Sequence, residues 1–202
     1  MSNKNKLPVT EIFPSIQGEG YFSGKKVTFL RLSGCDVGCP WCDTKYSWEV
    51  KENQYMTISQ ILTKLDLYNN KTIVITGGEP MMWNLDLLTL SLKNKGYLIN
   101  LETSGAYPVS GQFDWICLSP KKFKPVIKDW FFLANELKII VLNKSDFLWA
   151  KKHSQKVNSE CKLFVQPEWN NKIKNNFLID NFISENKKWK LSLQMHKYLN
   201  IP

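Results

Sequence analysis

Three of the chain's five cysteines, Cys35, Cys39 and Cys42, lie in the stretch GCDVGCPWCDTKYSW, with three and then two residues between them. Three thiolates on one short loop can belong to a disulfide framework, a zinc site, or a metal cluster that needs only three protein ligands. A disulfide scaffold suits a small secreted chain with an even cysteine count and little core. Here 202 residues, 43% of them apolar, suffice for a hydrophobic core, and one domain spanning 1–202 is expected. A structural zinc site draws its ligands as two pairs. The second pair would have to be Cys117 with Cys161, far apart in the chain, or His153 with His196. A cubane iron–sulfur cluster held by three cysteines keeps one iron open for a substrate or cofactor.

The elements that must position this loop are short and alternate in type. KVTFLRL (26–32) reads as a buried strand feeding the cysteines. MTISQILTKLDLYNN reads as a helix opened by a Thr57/Gln60 capping box, with Ile58, Ile61, Leu62 and Leu65 on one face. TIVIT (72–76) is a strand, and NLDLLTLSLKNKG is a helix from Asn84 closed by Gly96. YLINLE, DWICLS, ELKIIV, KLFVQ and KLSLQ read as further strands. Strands alternating with helical patterns predict parallel βα units. Strand after strand ends in polar residues: Thr76 to Pro80, Glu102 to Gly105, Ser119 to Lys121, Gln166 and Pro167, and Gln194 running to His196. A (β/α) barrel or open α/β sheet places its active site at that edge. Any one of these ends is also what an ordinary turn looks like.

Charge says less. Of 27 basic residues, 26 are lysine and one, Arg31, is arginine; the lysines are scattered, and the net charge of +9 is expected to be a solvated surface rather than a nucleic-acid site. The lone arginine stands out because its planar fork grips a carboxylate in two places. Arg31 is expected to anchor substrate, the alternative being a strand-end salt bridge. MSNKNKLPVTEIF lacks the apolar core of a secretory signal, and no run approaches the roughly 18 apolar residues of a membrane span. A cytoplasmic setting is expected. Cys117 and Cys161 are expected to be buried core thiols.

The Cys-x3-Cys-x2-Cys loop resembles that of the radical S-adenosylmethionine enzymes. In that superfamily the open iron of a [4Fe–4S] cluster chelates S-adenosylmethionine, whose one-electron cleavage gives a 5′-deoxyadenosyl radical. GGEP, at Gly77 to Pro80, resembles the superfamily's motif for the cofactor's methionine end, with Glu79 an acceptor or a shaper of the turn. In order, QGEG, FLRLSGC, CDTKYSW, TGGEP, ETSG, SPK, ELK and LSLQMHKYLNIP are similar to the 7-carboxy-7-deazaguanine synthase family of queuosine biosynthesis, from about Glu11 to Pro202.

That resemblance implies a homodimeric lyase on a shortened, modified (β/α) partial TIM-type barrel. It would convert 6-carboxy-5,6,7,8-tetrahydropterin to 7-carboxy-7-deazaguanine and ammonia, use S-adenosylmethionine catalytically, require Mg2+, and draw electrons from a donor such as flavodoxin or ferredoxin. Residue by residue, it implies cluster ligation by Cys35, Cys39 and Cys42 and Mg2+ ligation by Thr44. It implies pterin contacts from Ile16, Gln17, Gly18, Glu19, Arg31, Thr76, His196 and the α-carboxylate of Pro202. Cofactor contacts would come from Trp41, Cys42, Asp43, Gly78 and Glu79, from Glu102 and Ser104 at the ribose, and from Ser119, Pro120, Lys121, Gln166, Pro167, Glu168 and Trp169 towards the adenosine. The segments between the cysteine loop and GGEP, and between SPK and ELK, are short, which predicts reduced helices there. Two other readings remain: a different radical S-adenosylmethionine enzyme, such as a glycyl-radical activase, and a non-enzymatic basic metal module that binds RNA.

Overall fold

The computed structural model describes residues 5–202. Residues 1–4, the start of the segment read as lacking an apolar leader, lie outside the described residues. Strands β1 (Lys6–Ile16) and β2 (Lys26–Leu32) form an antiparallel hairpin, and β3 (Tyr55–Thr57) adds to the outer edge of β1. From β2 onward the sheet is parallel, through β4 (Thr72–Gly77), β5 (Leu98–Thr103), β6 (Trp115–Leu118), β7 (Glu136–Val141), β8 (Lys162–Pro167) and β9 (Trp189–Leu191). The order β3-β1-β2-β4-β5-β6-β7-β8-β9 makes one open nine-stranded sheet, a partial barrel. Parallel pairing brings the C-terminal ends of β2 and β4 to β8 to one edge, where the cysteine loop also emerges.

The crossovers carry α1 (Ile58–Asp66), α2 (Asp86–Asn94), α3 (Asp129–Leu133), α4 (Ser145–Ser154) and α5 (Lys172–Glu185), and α6 (Met195–Leu199) follows β9. Alternation along each strand separates two faces. Leu30, Leu32, Ile73, Ile75, Ile99, Leu101, Leu137, Ile139 and Val165 point outward into one core with Ile61 and Leu65 of α1, Leu88 and Leu92 of α2, Trp130, Ala150 and Ile179. The inner face instead holds Arg31, Glu102, Lys138, Gln166 and their neighbours, which line the cavity described below. Buried polar groups cost free energy unless hydrogen-bonded. Among the described residues no buried side-chain nitrogen or oxygen lacks a partner.

The Thr57 capping box forms as read: the Thr57 hydroxyl accepts from Gln60 N–H while Gln60 Oε1 accepts from Thr57 N–H. The short SPK-to-ELK segment does reduce its helix, to the five residues of α3. The first short segment keeps the nine-residue α1, and it is the β5–β6 crossover that carries no helix. KLSLQ, read as a strand, pairs only as far as Leu191. After Leu191 the Ser192 N–H still donates to Val165 O, but the Ser192 hydroxyl turns inward to Gln166 and Gly20, and the ladder ends. Cys117 is buried in β6 and Cys161 is buried just ahead of β8, as expected of core thiols.

Candidate active site

All five cysteines are free, which removes the disulfide reading. Among the described residues no three His, Cys, Asp or Glu side chains converge where a single ion could bind them. Three thiolates on one loop suit a cluster whose irons each take one thiolate. Gly34 N–H to Ser47 O (2.8 Å) and Cys35 N–H to Trp48 O (3.1 Å) close the base of the loop. Asp36 fastens its flank to Tyr107 and Lys124. Burial pushes the Cys35 and Cys39 thiols above their ordinary value, with the Lys121 ammonium acting against the shift at Cys39. Metal ligation would release those protons. Trp48 Nε1–H (3.4 Å) and the Thr44 hydroxyl (3.5 Å) lie against Cys42 Sγ.

The turn after β4 packs directly on this loop. Gly77 has φ +141°, and a Cβ there would stand 2.1 Å from Leu32 O; at Gly78 a Cβ would stand 2.1 Å from Gly34 O and 2.8 Å from Cys35 Cβ. Only glycine permits such an approach. Glu79 is buried, and its carboxylate accepts from Met81 N–H (3.1 Å), Thr103 Oγ1–H (2.6 Å), Ser104 N–H (2.7 Å) and the Ser104 hydroxyl. Glu79 therefore joins the ends of β4 and β5 rather than presenting a free acceptor. Glu168 is likewise engaged, by Asn170 N–H, Asn171 N–H and Asn171 Nδ2–H.

Before the cysteine loop, Arg31 leaves the inner face of β2 above the stacked pair Phe13 and Phe29 (5.3 Å), its guanidinium 5.7 Å from the Phe13 ring. Arg31 Nε–H donates to Glu11 (2.6 Å). The strand-end salt bridge is thus present, and it leaves the two terminal nitrogens without a protein partner among the described residues. Gln17, Gly18 and Glu19 occupy the β1–β2 loop. Gln17 Nε2–H donates to Glu102 (3.0 Å), Gly18 O accepts from Met195 N–H (3.0 Å), and Glu19 pairs with Lys138 (2.5 Å) and accepts from Gln194 (3.0 Å). A Cβ on Gly18 would stand 2.3 Å from His196 Nδ1, so the loop and α6 are in close contact. Lys197 pairs with Asp43 (2.6 Å), and Ser15 Oγ–H donates to Pro202 O (2.6 Å), so the C-terminal segment straps the cysteine loop to the hairpin.

These groups surround one cavity of about 270 Å³. Ile16, Gln17, Gly18, Glu19, Arg31, Thr76, His196 and Pro202 line it, as do the three cysteines, Trp41, Asp43 and Thr44. So do Gly78, Glu79, Glu102, Ser104, Ser119, Lys121, Gln166, Pro167, Glu168 and Trp169. Pro120 alone among the expected residues does not; it is buried within the turn between Ser119 and Lys121. Lys121 Nζ donates to the Ser119 hydroxyl (2.6 Å), and burial lowers its pKa. Gln194, read only as a strand end, lines the cavity too, and Lys138, Lys197, Phe13 and Phe29 line it without having been expected. The one signal for Lys138 was a charge in the middle of the apolar strand ELKIIV.

Burial by itself would raise the Glu19 pKa, but the Lys138 ammonium outweighs it and the acid is pulled down to about 2. The folded-state pKa is depressed, so the resulting stability is fully present above the ordinary value of 4.5 and is lost as pH falls through about 2. We expect Glu19→Gln to lower the urea midpoint at pH 6. The gap from wild type should shrink steadily below pH 4.5; a gap that widens on acidification would contradict this.

Comparison with known proteins decides what the cavity belongs to. A family model described as a 4Fe-4S single cluster domain matches residues 16–103. A 7-carboxy-7-deazaguanine synthase from Flavobacterium psychrophilum is 47% identical over 97% of this chain and 93% of its own. A protein of the same name from Synechocystis is 43% identical over 96% and 93%. The chain belongs to the 7-carboxy-7-deazaguanine synthase family. The Escherichia coli relative is 35% identical over 97% of this chain and 99% of its own. The crystal structure of QueE from Escherichia coli matches with a TM-score of 0.84 at 30% identity, covering 95% of each chain. With the family come an iron–sulfur cluster and S-adenosylmethionine as cofactors, and the three cysteines and the glycine cradle suit them. Among the described residues no helix is long and apolar enough to cross a membrane.

Proposed function

We propose that the enzyme converts 6-carboxy-5,6,7,8-tetrahydropterin to 7-carboxy-7-deazaguanine with loss of ammonia, a step of queuosine biosynthesis. The observation that carries this is the shared cavity: the three-cysteine loop and the lone arginine open into the same space, closed by His196 and Pro202. When bound, the cluster and S-adenosylmethionine supply hydrogen-atom abstraction, which no closed-shell side chain can perform. The chain's own residues bind, orient and shield. Cys35, Cys39 and Cys42 hold the cluster. Gly78 gives the methionine end a close approach, Glu102 and Ser104 face the ribose, and Trp41, Asp43, Ser119, Lys121 and the Gln166-to-Trp169 turn enclose the rest of the cofactor. Pro120 and Glu168 shape the turns that carry these contacts.

At the other end Arg31 offers its two free nitrogens to the pterin carboxylate, an arrangement in which Glu11 fixes the guanidinium plane. Ile16, Gln17, Gly18, Thr76, His196 and Pro202 fit the ring, and Glu19 contributes its carboxylate. Thr44 supplies one oxygen to Mg2+, a hard cation that prefers such ligands, and the substrate supplies others. We also place the enzyme in the cytoplasm as a homodimer fed by a flavodoxin- or ferredoxin-type donor. The family resemblance supports these assignments.

The test is anaerobic incubation of the reconstituted protein with the carboxy-tetrahydropterin, S-adenosylmethionine, Mg2+ and a reductant. The mass of 7-carboxy-7-deazaguanine should appear; its absence from a protein that carries its cluster would refute the assignment. Arg31→Lys keeps the charge but loses the fork. It is expected to weaken pterin binding about tenfold or more, a charge-assisted bidentate contact being worth roughly 1.5–3 kcal/mol. S-adenosylmethionine affinity should stay unchanged. Calorimetric titration of both ligands checks this, and unaltered pterin affinity would remove Arg31 from the anchoring role.

A further inference from the structure

Lys138 lies in the middle of β7, where Leu137 and Ile139 turn outward into the core and Glu136, Lys138 and Ile140 turn inward. Its side chain is only 4% exposed. A buried ammonium costs several kcal/mol unless it is paired, and an apolar side chain would fill such a site at less cost. The pairing here is divided. Lys138 Nζ lies 2.5 Å from Glu19 Oε2 and 3.5 Å from Glu102 Oε2. Glu19 comes from the β1–β2 loop and Glu102 from β5, two segments that also meet through Gln17 Nε2–H on Glu102 Oε1.

Glu136, deeper on the same face, is already occupied by Tyr21 N–H (3.1 Å) and Trp115 Nε1–H (3.2 Å). One ammonium therefore serves two acids at the cavity wall, one from the β1–β2 loop and one from β5. On the reading above, Glu102 faces the cofactor's ribose and Glu19 faces the pterin. A carboxylate turned towards a bound ligand moves its share of the ammonium, and the other carboxylate must follow.

We propose that Lys138 is a positioning residue that couples the two binding sites, holding Glu102 and Glu19 so that either ligand pre-orders the acid that meets the other. A ligand that rigidifies this network lowers the ordering cost of the second, which gives positive cooperativity without a domain movement. Linkage requires the effect to be reciprocal. The inference rests on the proposed reaction, because that assigns the two acids to different ligands.

The test uses the full chain carrying its oxidised cluster and Mg2+, with no reductant, so that nothing turns over. Calorimetry gives the affinity for 6-carboxy-tetrahydropterin with and without saturating S-adenosylmethionine. In the wild type S-adenosylmethionine should tighten pterin binding at least about fivefold, the lower end of ordinary coupling, and pterin should tighten S-adenosylmethionine equally. Lys138→Met should reduce the factor to less than about twofold while cluster absorption and circular dichroism stay as in wild type. Lys138→Arg, which keeps the charge, should restore part of it. A purely structural role would lower stability or both affinities in parallel and leave their ratio alone. Should Lys138→Met fail to fold, Glu102→Gln leaves the ammonium to Glu19 and must also cut the coupling below about twofold at saturating S-adenosylmethionine. Wild-type binding of both ligands without coupling, or coupling retained in these variants, overturns the inference alone. Wild-type protein that binds S-adenosylmethionine but no pterin overturns the proposed reaction and this inference with it.

Discussion

Replacing Cys35, Cys39 and Cys42 together by alanine is expected to abolish product formation, by at least about four orders of magnitude or more than about 5 kcal/mol in barrier, while leaving the fold of the apoprotein in place. The first half follows from chemistry: no group left in the cavity can remove a carbon-bound hydrogen atom from the pterin. The second half follows from the packing. None of the three cysteines belongs to the hydrophobic core cluster. Backbone bonds hold the loop at its base, and the Asp36 contacts to Tyr107 and Lys124 hold its flank. Iron content and the cubane absorption should vanish, while the thermal midpoint should stay within a few degrees of wild-type apoprotein. A variant that still makes product, or that unfolds relative to the apoprotein, would contradict the division between a structural sheet and a chemical loop.

Gly78→Ala is expected to do the second-largest damage, and for a different reason. Its Cβ would press on Gly34 O at 2.1 Å, and a backbone oxygen cannot rotate away. Either the turn after β4 or the cysteine loop must shift. Overpacking of this kind costs about 1–3 kcal/mol. Displacing the reacting groups by on the order of 1 Å costs about a hundredfold in rate. We expect the unfolding free energy from urea titration to fall by about 1–3 kcal/mol, kcat/KM to fall about a hundredfold or more, and the affinity for S-adenosylmethionine to weaken. Gly38, in the same loop at φ +71°, has nothing within 4 Å of a Cβ. Gly38→Asn, with a residue that tolerates a left-handed backbone, therefore serves as the control and should retain most of the activity. If Gly78→Ala and Gly38→Asn behave alike, the close approach of the two turns does not matter.

Much of this was legible in the sequence because local signals and global demands agree. Lys26–Leu32 and Thr72–Gly77 are rich in β-branched and apolar side chains, and the sheet buries them. Thr57 and Gln60 cap their helix through neighbours three residues apart, which needs no tertiary information. The site was legible because parallel strands deliver their ends to one edge, so polar residues at successive strand ends had to meet.

What escaped the sequence was set by contacts between distant segments. α4 is one case: its apolar Leu148 remains exposed while Asp146 and His153 are buried, so no clean apolar stripe announces the helix. α5 similarly leaves Ile173 and Phe177 exposed and buries Asn175, whose Nδ2–H groups serve the carbonyls of Val141 and Leu142. The early end of β9 depends on Ser192 meeting Gln166 and Gly20. Glu79 reads from its motif as an acceptor or a shaper of the turn, and the residues at the end of β5 that decide for the second lie 24 and 25 residues away. Lys138 shows in sequence only as a charge in an apolar strand, and its two carboxylate partners are 119 and 36 residues distant.

The proposed reaction needs one cavity to hold a reusable S-adenosylmethionine at the cysteine loop and a carboxylated pterin at Arg31. The direct measurement is the product yield when S-adenosylmethionine is supplied at about a tenth of the pterin, under anaerobic conditions with reductant and Mg2+. 7-carboxy-7-deazaguanine is expected in several-fold excess over the S-adenosylmethionine added, with most of that cofactor recovered intact. Accumulation of 5′-deoxyadenosine with no deazaguanine mass would contradict it, leaving a radical S-adenosylmethionine protein with a different substrate.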